Sequence, residues 1–344
     1  SGCWIGFKCV GDIIESTASV SIDQDRQNIK NPTDFKFPED GINIRWPDGP
    51  VDQEKRLISV KLKAAQAFVR FNKLDRISHA VSKKRLGIVA PGKAWLNVCQ
   101  AFDELDLNEF ERKDMGIGVF KVAMPWPLEP SRIRDWAEGF EEIIVIEEKR
   151  SLIEDQLARV IYDLPETVRP RLIGKCDIDG NLLVPEFGEL NGTLIAQIIA
   201  NRFLDEGNDN CLIKAAATIK ARTTDTNRPV APSERSPWFC AGCPHNSSTK
   251  VPEGSRALAG IGCHTMAVYM DRQTSAYTHM GGEGGTWIGQ APFTTAKHVF
   301  QNIGDGTYYH SGLMAIRAAV SSGVNITYKI LFNDAVALTG GQPM

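Results

Sequence analysis

An aspartate flanked by two glycines, Gly304-Asp305-Gly306, stands where a strand-like run, His298 to Ile303, gives way to a helical pattern. A second strand-like run, Ile326 to Phe332, ends at Asn333. The spelling is βαβ, with polar residues at the carboxyl ends of both strands, the edge at which open α/β sheets take ligands. Gly304 and Gly306 let the backbone approach a ligand. A helix opening near Tyr308 offers unpaired N–H groups and a positive dipole end to a diphosphate. Asp305 brings a carboxylate oxygen, Asn333 an amide oxygen and Ala335 a main-chain carbonyl, a protein half-shell suited to Mg2+ beside phosphates. GDG alone also spells a tight turn. The 26 residues between Gly306 and Asn333, and the Gly340-Gly341-Gln342 turn beyond, are what point to a site.

The second constellation is of sulfur. Cys240-x2-Cys243 puts two thiols on one turn, with Gly242 between them, and Cys263 follows after 19 residues, at the end of a predicted strand Arg256 to Ile261. Such a trio favours metal or cluster ligation over disulfide chemistry. A zinc site would need a fourth ligand, for which His245 or His264 could serve, although structural zinc usually takes two separated pairs. A redox Cys-x-x-Cys would open a helix after a strand, whereas this one follows a Pro-rich stretch. Buried, unligated cysteines are the remaining alternative.

The wording of these segments, GDGTYYHSG, NDAVALTGGQP, CAGCPH and GIGCH, resembles the thiamine diphosphate motif as it occurs in the indolepyruvate branch of the 2-oxoacid:ferredoxin oxidoreductases. The resemblance implies a magnesium–diphosphate anchor at Asp305, Asn333 and Ala335, and a [4Fe-4S] cluster held by Cys240, Cys243, Cys263 and a fourth cysteine. None follows Cys263 here, so on this resemblance the fourth is expected either beyond Met344 or not at all, and the chain alone should load the cluster poorly. It also implies that HMGGEGGTWIGQAPF lines the thiamine site, with Gly282 and Glu283 as contacts; a flexible exposed lid is the plainer reading of its four glycines between Gly281 and Thr286. His264 and His310 are further candidates, since imidazole can hydrogen-bond phosphate or an oxyanion. The implied activity is oxidative decarboxylation of an aryl 2-oxoacid such as indolepyruvate. Coenzyme A would take the acyl group, ferredoxin the electrons, and the full-length protein would be a homo-oligomer. The glutamate that activates thiamine is expected outside these residues, so no catalytic residue is assigned and the chain alone should not turn over. Competing readings are a non-oxidative thiamine diphosphate decarboxylase or synthase, which has no use for three thiols, and a zinc-stabilised α/β scaffold.

Around these groups the chain has 344 residues, enough for two or three domains. It is 42% hydrophobic and 24% charged with a net charge of -3, an ordinary globular balance that asks for neither nucleic acid nor an anionic surface. No apolar run reaches the length of a membrane span and no secretory signal opens the chain, so the expected location is the reducing cytoplasm. The absent initiator Met and the stop at Pro343-Met344 are expected of an internal fragment.

The expected fold class is α/β. By resemblance it combines a transketolase C-terminal-like parallel domain with a doubly wound thiamine diphosphate-binding domain of the diphosphate type. Residues 1–22 resemble the tail of a pyrimidine-type thiamine domain, and 23–84 form a linker and helical connection in which Phe35 and Trp46 should pin the chain to a neighbour. One amphipathic helix or two short ones are expected over 54–77. Residues 85–165 alternate strands and helices and form the parallel α/β domain. In it Ser131 reads as a helix N-cap, Glu147 and Glu148 as a solvated strand end, and Lys93 after its Pro-Gly turn as solvent-facing. Residues 166–235 hold a helix begun by Asn191 and a linker, Thr223 to Pro237, and 236–344 make up the thiamine diphosphate-binding domain.

Overall fold

The computed structural model describes residues 3–22, 29–43, 45–46, 48–204, 235–333 and 335–343. Two compact units divide the chain, Ser1–Thr226 and Asn227–Met344. Most of the Thr223 to Pro237 linker, and Cys211, lie outside the described residues.

In the first unit β1 (Arg76–His79), β2 (Leu86–Pro91), β3 (Ile117–Val122), β4 (Glu142–Val145) and β5 (Arg171–Ile173) form one sheet in the order β1-β3-β2-β4-β5. Only the β1–β3 pair is antiparallel. Strand side chains alternate between faces. Ile88, Val119 and Ile144 meet the helices Gly92–Glu104 and Gly192–Leu204 on one face, and Val89, Phe120 and Val145 meet Pro130–Ala137 and Ile153–Ile161 on the other. Cover on both faces is why these strands read as unbroken apolar runs.

Several polar residues sit differently from their sequence reading. The helix Pro130–Ala137 is capped by Glu129, whose carboxylate accepts from Ser131 N and Arg132 N; Ser131 lies inside the first turn. Glu147 is buried, and its carboxylate accepts from the backbone N–H groups of Leu152, Ile153 and Glu154 at 2.9–3.1 Å. Helix starts leave orphan N–H groups, and this carboxylate meets them and the positive dipole end together. Lys93 is buried too: Nζ donates to Leu190 O at 2.7 Å and lies 3.5 Å from Glu148 Oε1. Glu147 therefore holds the start of the helix Ile153–Ile161, and Lys93 and Glu148 hold Leu190 on the approach to the helix Gly192–Leu204, rather than facing solvent. Upstream, helix runs from Pro50–Arg56 through a π-helical Leu57–Lys61 to Leu62–Phe71. Phe35 packs edge-on against Phe37, but Trp46 is 90% exposed and pins nothing among the described residues.

The second unit holds β6 (Ala257–Ala259), β7 (Thr274–Tyr277), β8 (Val299–Gly304) and β9 (Ile326–Leu331), all parallel, in the order β7-β6-β8-β9. From β6 the chain steps outward to β7, then returns across β6 to build β8 and β9 on the other side. The winding thus reverses between β6 and β8, and the crevice at their carboxyl ends is the topological switch point of an open sheet. The helix after β8 begins at Asp305 itself, not near Tyr308, because Gly304 in extended conformation (φ −70°, ψ 149°) already serves as its N-cap. It runs through Asp305–Thr307, a π-helical Tyr308–Gly312 and Leu313–Ser322, and stops at Gly323, whose φ of +68° needs glycine. Gly312 lets the helix close on the strand: a Cβ there would lie 2.5 Å from Ile303 Cδ1.

Candidate cofactor site

The β8–β9 register pairs Gly304 with Leu331, so Asp305 and Asn333 leave the sheet side by side. Asp305 is buried; Gly306 N donates to its Oδ1 at 2.8 Å and Asn333 N to its Oδ2 at 2.8 Å. One terminal atom of the Asn333 amide lies 3.3 Å from Asp305 Oδ2 and 2.7 Å from Ala335 O. As NH2 that atom donates to both oxygens; as the amide oxygen it accepts from Ala335 N at 3.3 Å and makes a third acceptor facing the other two. Three mutually facing oxygens, from a carboxylate, an amide and a carbonyl, are stable together only around a cation, and hard oxygen donors suit Mg2+. The residues fit that ion, and the amide alone must turn over to receive it.

The second strand end at the switch point carries Gly260-Ile261-Gly262-Cys263-His264. His264 is 2% exposed, and burial depresses its pKa to about 4, so the ring is neutral near pH 7. Its ring packs against Gly262 and Gly304, where added Cβ atoms would lie 2.9 Å and 3.5 Å from Cε1, while Nε2 has no partner among the described residues. A buried imidazole nitrogen without a partner beside the Gly-Asp-Gly turn is the kind of group a bound ligand satisfies. His310 sits exposed on the π-helical turn, a distortion frequent at functional sites.

The glycine-rich segment folds into a tight turn rather than an exposed lid. Gly282 is half-buried, and Gly284, with φ +88°, is the N-cap of the helix Gly285–Gln290. Glu283 is 0% exposed, its Oε2 accepts from Gly281 N at 2.7 Å, and Tyr328 donates its hydroxyl to Glu283 O at 2.9 Å.

Cys240 and Cys243 share the expected turn, closed by Cys243 N on Cys240 O at 3.1 Å, with Gly242 at φ +75°. Asn246 Nδ2 braces the turn through both cysteine carbonyls, at 3.0 and 3.2 Å. Cys263 opens a 3-10 helix rather than ending a strand, since β6 stops at Ala259. Cys243 and Cys263 pack against the same small core of Phe239, Ala267 and Met270. Burial, and then the neighbouring Cys243 and Cys240, push the Cys263 thiol up. The three sulfurs therefore share one neighbourhood, although no trio of His, Cys, Asp or Glu among the described residues stands in metal-holding geometry.

Sequence reading missed Asn302, buried on β8 with neither side-chain atom partnered, and Ser311, whose buried Oγ is also unpartnered among the described residues. The polar pair Gln301-Asn302 in an otherwise apolar buried strand was the available signal for the first.

Comparison with known proteins fits this geometry. Residues 76–226 match the indolepyruvate oxidoreductase domain, and residues 260–344 match the C-terminal TPP binding domain of thiamine pyrophosphate enzymes. The indolepyruvate oxidoreductase subunit IorA of Methanothermobacter marburgensis is 26% identical over 301 residues, covering 84% of this chain and 44% of that protein. The same subunit from Thermococcus kodakarensis is 26% identical over 278 residues, covering 75% of this chain and 40% of that protein. The chain thus spans less than half the length of these relatives. The chain is thus similar, region by region, to the indolepyruvate oxidoreductase domain and to the thiamine pyrophosphate-binding domain, and over most of its length to the indolepyruvate oxidoreductase subunits IorA.

Proposed function

We propose that this chain is the diphosphate-binding part of a thiamine diphosphate enzyme that oxidatively decarboxylates aryl 2-oxoacids such as indolepyruvate. In this reading coenzyme A receives the acyl group and iron–sulfur centres pass the electrons to ferredoxin. The observation that carries it is the convergence of Asp305 Oδ2, the Asn333 amide and Ala335 O at the carboxyl edge of the sheet. Asp305, Asn333 and Ala335 would hold Mg2+, and the N–H groups that open the helix after Gly304, with Gly306 among them, would face the diphosphate. Thiamine diphosphate, when bound, supplies the electron sink that lets a 2-oxoacid lose CO2. The chain's part is to grip the anion, exclude water through the Gly281–Gly284 turn, and keep His264 neutral at the floor.

Cys240, Cys243 and Cys263 favour the oxidative reading over a plain decarboxylase, because thiols gathered beside the anion site serve electron transfer and have no role without it. Among the described residues no helix is long and apolar enough to cross a membrane; a cytoplasmic, homo-oligomeric enzyme is the reading proposed here. The test is to assay the full-length parent, prepared without oxygen, with aryl pyruvates, coenzyme A and a one-electron acceptor. Substrate-dependent acceptor reduction that requires thiamine diphosphate supports the reading, and its absence in iron-replete protein rejects it.

A further inference from the structure

Among the described residues of the second unit, Glu283 is the one carboxylate with no exposed surface at all. It is not held as a buried charge usually is. Oε2 accepts from Gly281 N at 2.7 Å, the backbone N–H of Glu283 itself also faces the carboxyl, and Oε1 has no partner among the described residues. No arginine or lysine pairs with it there, and the tyrosine beside it, Tyr328, donates to its main-chain oxygen instead. An ionised carboxylate kept from water with only neutral backbone donors is costly, whereas the neutral acid in the same place is cheap.

Its position is fixed tightly. A Cβ on Gly260, at the carboxyl end of β6, would lie 2.2 Å from Glu283 Oε1, so glycine at 260 is what makes room for the carboxyl group. A Cβ on Gly281 would lie 2.9 Å from Ser311 Oγ, the other unpartnered buried oxygen of this region. Gly260 belongs to the strand end at the switch point, and Ser311 to the π-helical turn that follows Asp305. Two oxygens without partners thus flank the turn at the edge where the sheet takes its ligand.

We propose that Glu283 donates a hydrogen bond through Oε1 to an acceptor oxygen of the ligand bound at this edge. With Oε2 occupied as the acceptor from Gly281 N, a neutral carboxyl carries its proton on Oε1, the oxygen beside Gly260. Burial pushes the Glu283 carboxyl up, while the backbone N–H groups of Glu283 and Gly281, and then His279 and His310, act in the opposite, weaker sense. Burial pushes Tyr328 up to about 12, so the phenol stays a neutral donor and does not compete for the proton. The acceptor is an oxygen of thiamine diphosphate or the carbonyl or carboxylate of a 2-oxoacid. The inference rests on the proposed function only for where that ligand sits.

Infrared difference spectra of the 344-residue chain, wild type minus Glu283→Gln at pH 7, should show the C=O stretch of a protonated carboxyl. Adding thiamine diphosphate with Mg2+, and then phenylpyruvate, should shift that band, and the addition that moves it identifies the acceptor. Calorimetric affinity for that ligand should change by no more than about twofold in Glu283→Gln, whose amide keeps one acceptor and one donor. It should fall about tenfold in Glu283→Leu, the scale of one lost hydrogen bond with a buried acceptor left bare. If the leucine variant does not fold, the infrared arm decides. No protonated band, a band unmoved by both additions, or glutamine weakening binding as much as leucine would each overturn the proposal. Wild-type binding with an unmoved band rejects only the Glu283 donor; wild-type protein that binds neither compound rejects the functional reading itself.

Discussion

Asn333 N donates to Asp305 Oδ2 at 2.8 Å, tying the residue after β8 to the residue that ends the β9 extension. The carboxylate is thereby oriented before any cation arrives, and only the Asn333 amide has to choose between donating and accepting.

That choice makes Asn333→Leu informative. Without ligand the variant loses the amide's hydrogen bonds to Asp305 and Ala335, and its stability should fall by about 1 kcal/mol. In the presence of thiamine diphosphate and Mg2+ the wild type should gain about 2.7 kcal/mol at a hundredfold excess over Kd, and the variant almost none. Thermal melts with and without the two ligands, and with EDTA as the metal-free control, measure both effects. An equal ligand-induced gain in the variant would remove Asn333 from the site.

For the cysteines the expected outcome is graded. Reconstituted without oxygen in iron and sulfide, the chain should develop broad visible absorption but retain less than a full cluster's iron after gel filtration. Alanine at Cys240, Cys243 or Cys263 should each lower the iron further, while Cys99→Ala, in the first unit, should leave it unchanged. Iron retention insensitive to all three would show that the shared neighbourhood serves packing only.

Glu147 supplies a prediction for the first unit. Glu147→Ala removes the acceptor for three helix-start N–H groups, so it should cost about 2 kcal/mol in urea unfolding, with Glu147→Gln costing less. Affinity for thiamine diphosphate should stay at the wild-type value in both. A large loss of affinity in Glu147→Gln would contradict the purely structural role.

Stability against pH tests Glu283 independently of any ligand. Its native pKa lies above the ordinary 4.5 because burial penalises the charge, so between that value and the raised one the folded state binds more protons than the unfolded state. Stability contributed by this group is complete below pH 4.5 and is lost as pH rises through the native pKa. Glu283→Gln should remove that decline, so the variant gains on the wild type as the pH rises. Parallel stability curves would show that Glu283 does not titrate with a raised pKa.

The parts of this molecule legible in the sequence are those whose signal is local. Alternating strands and helices, the Gly-Asp-Gly turn and the Cys-x-x-Cys turn depend on neighbours within a few residues, and the Asp305–Asn333 pairing needed only the length of one βα unit. Lys93 and Glu147 were misread because their environment is set at a distance: the carbonyl that holds Lys93 belongs to Leu190, 97 residues away. Glu283 was placed near the site by wording alone. Its burial depends on the glycine at 260, on the neighbouring strand end, which a local pattern cannot connect to it.

The most direct test is calorimetric titration of thiamine diphosphate into the isolated chain, with Mg2+ and without it, for the wild type and Asp305→Ala. The site described here predicts saturable binding by the wild type that requires Mg2+ and is lost in the variant. Binding of equal strength in Asp305→Ala, or none in folded wild-type protein, would contradict it.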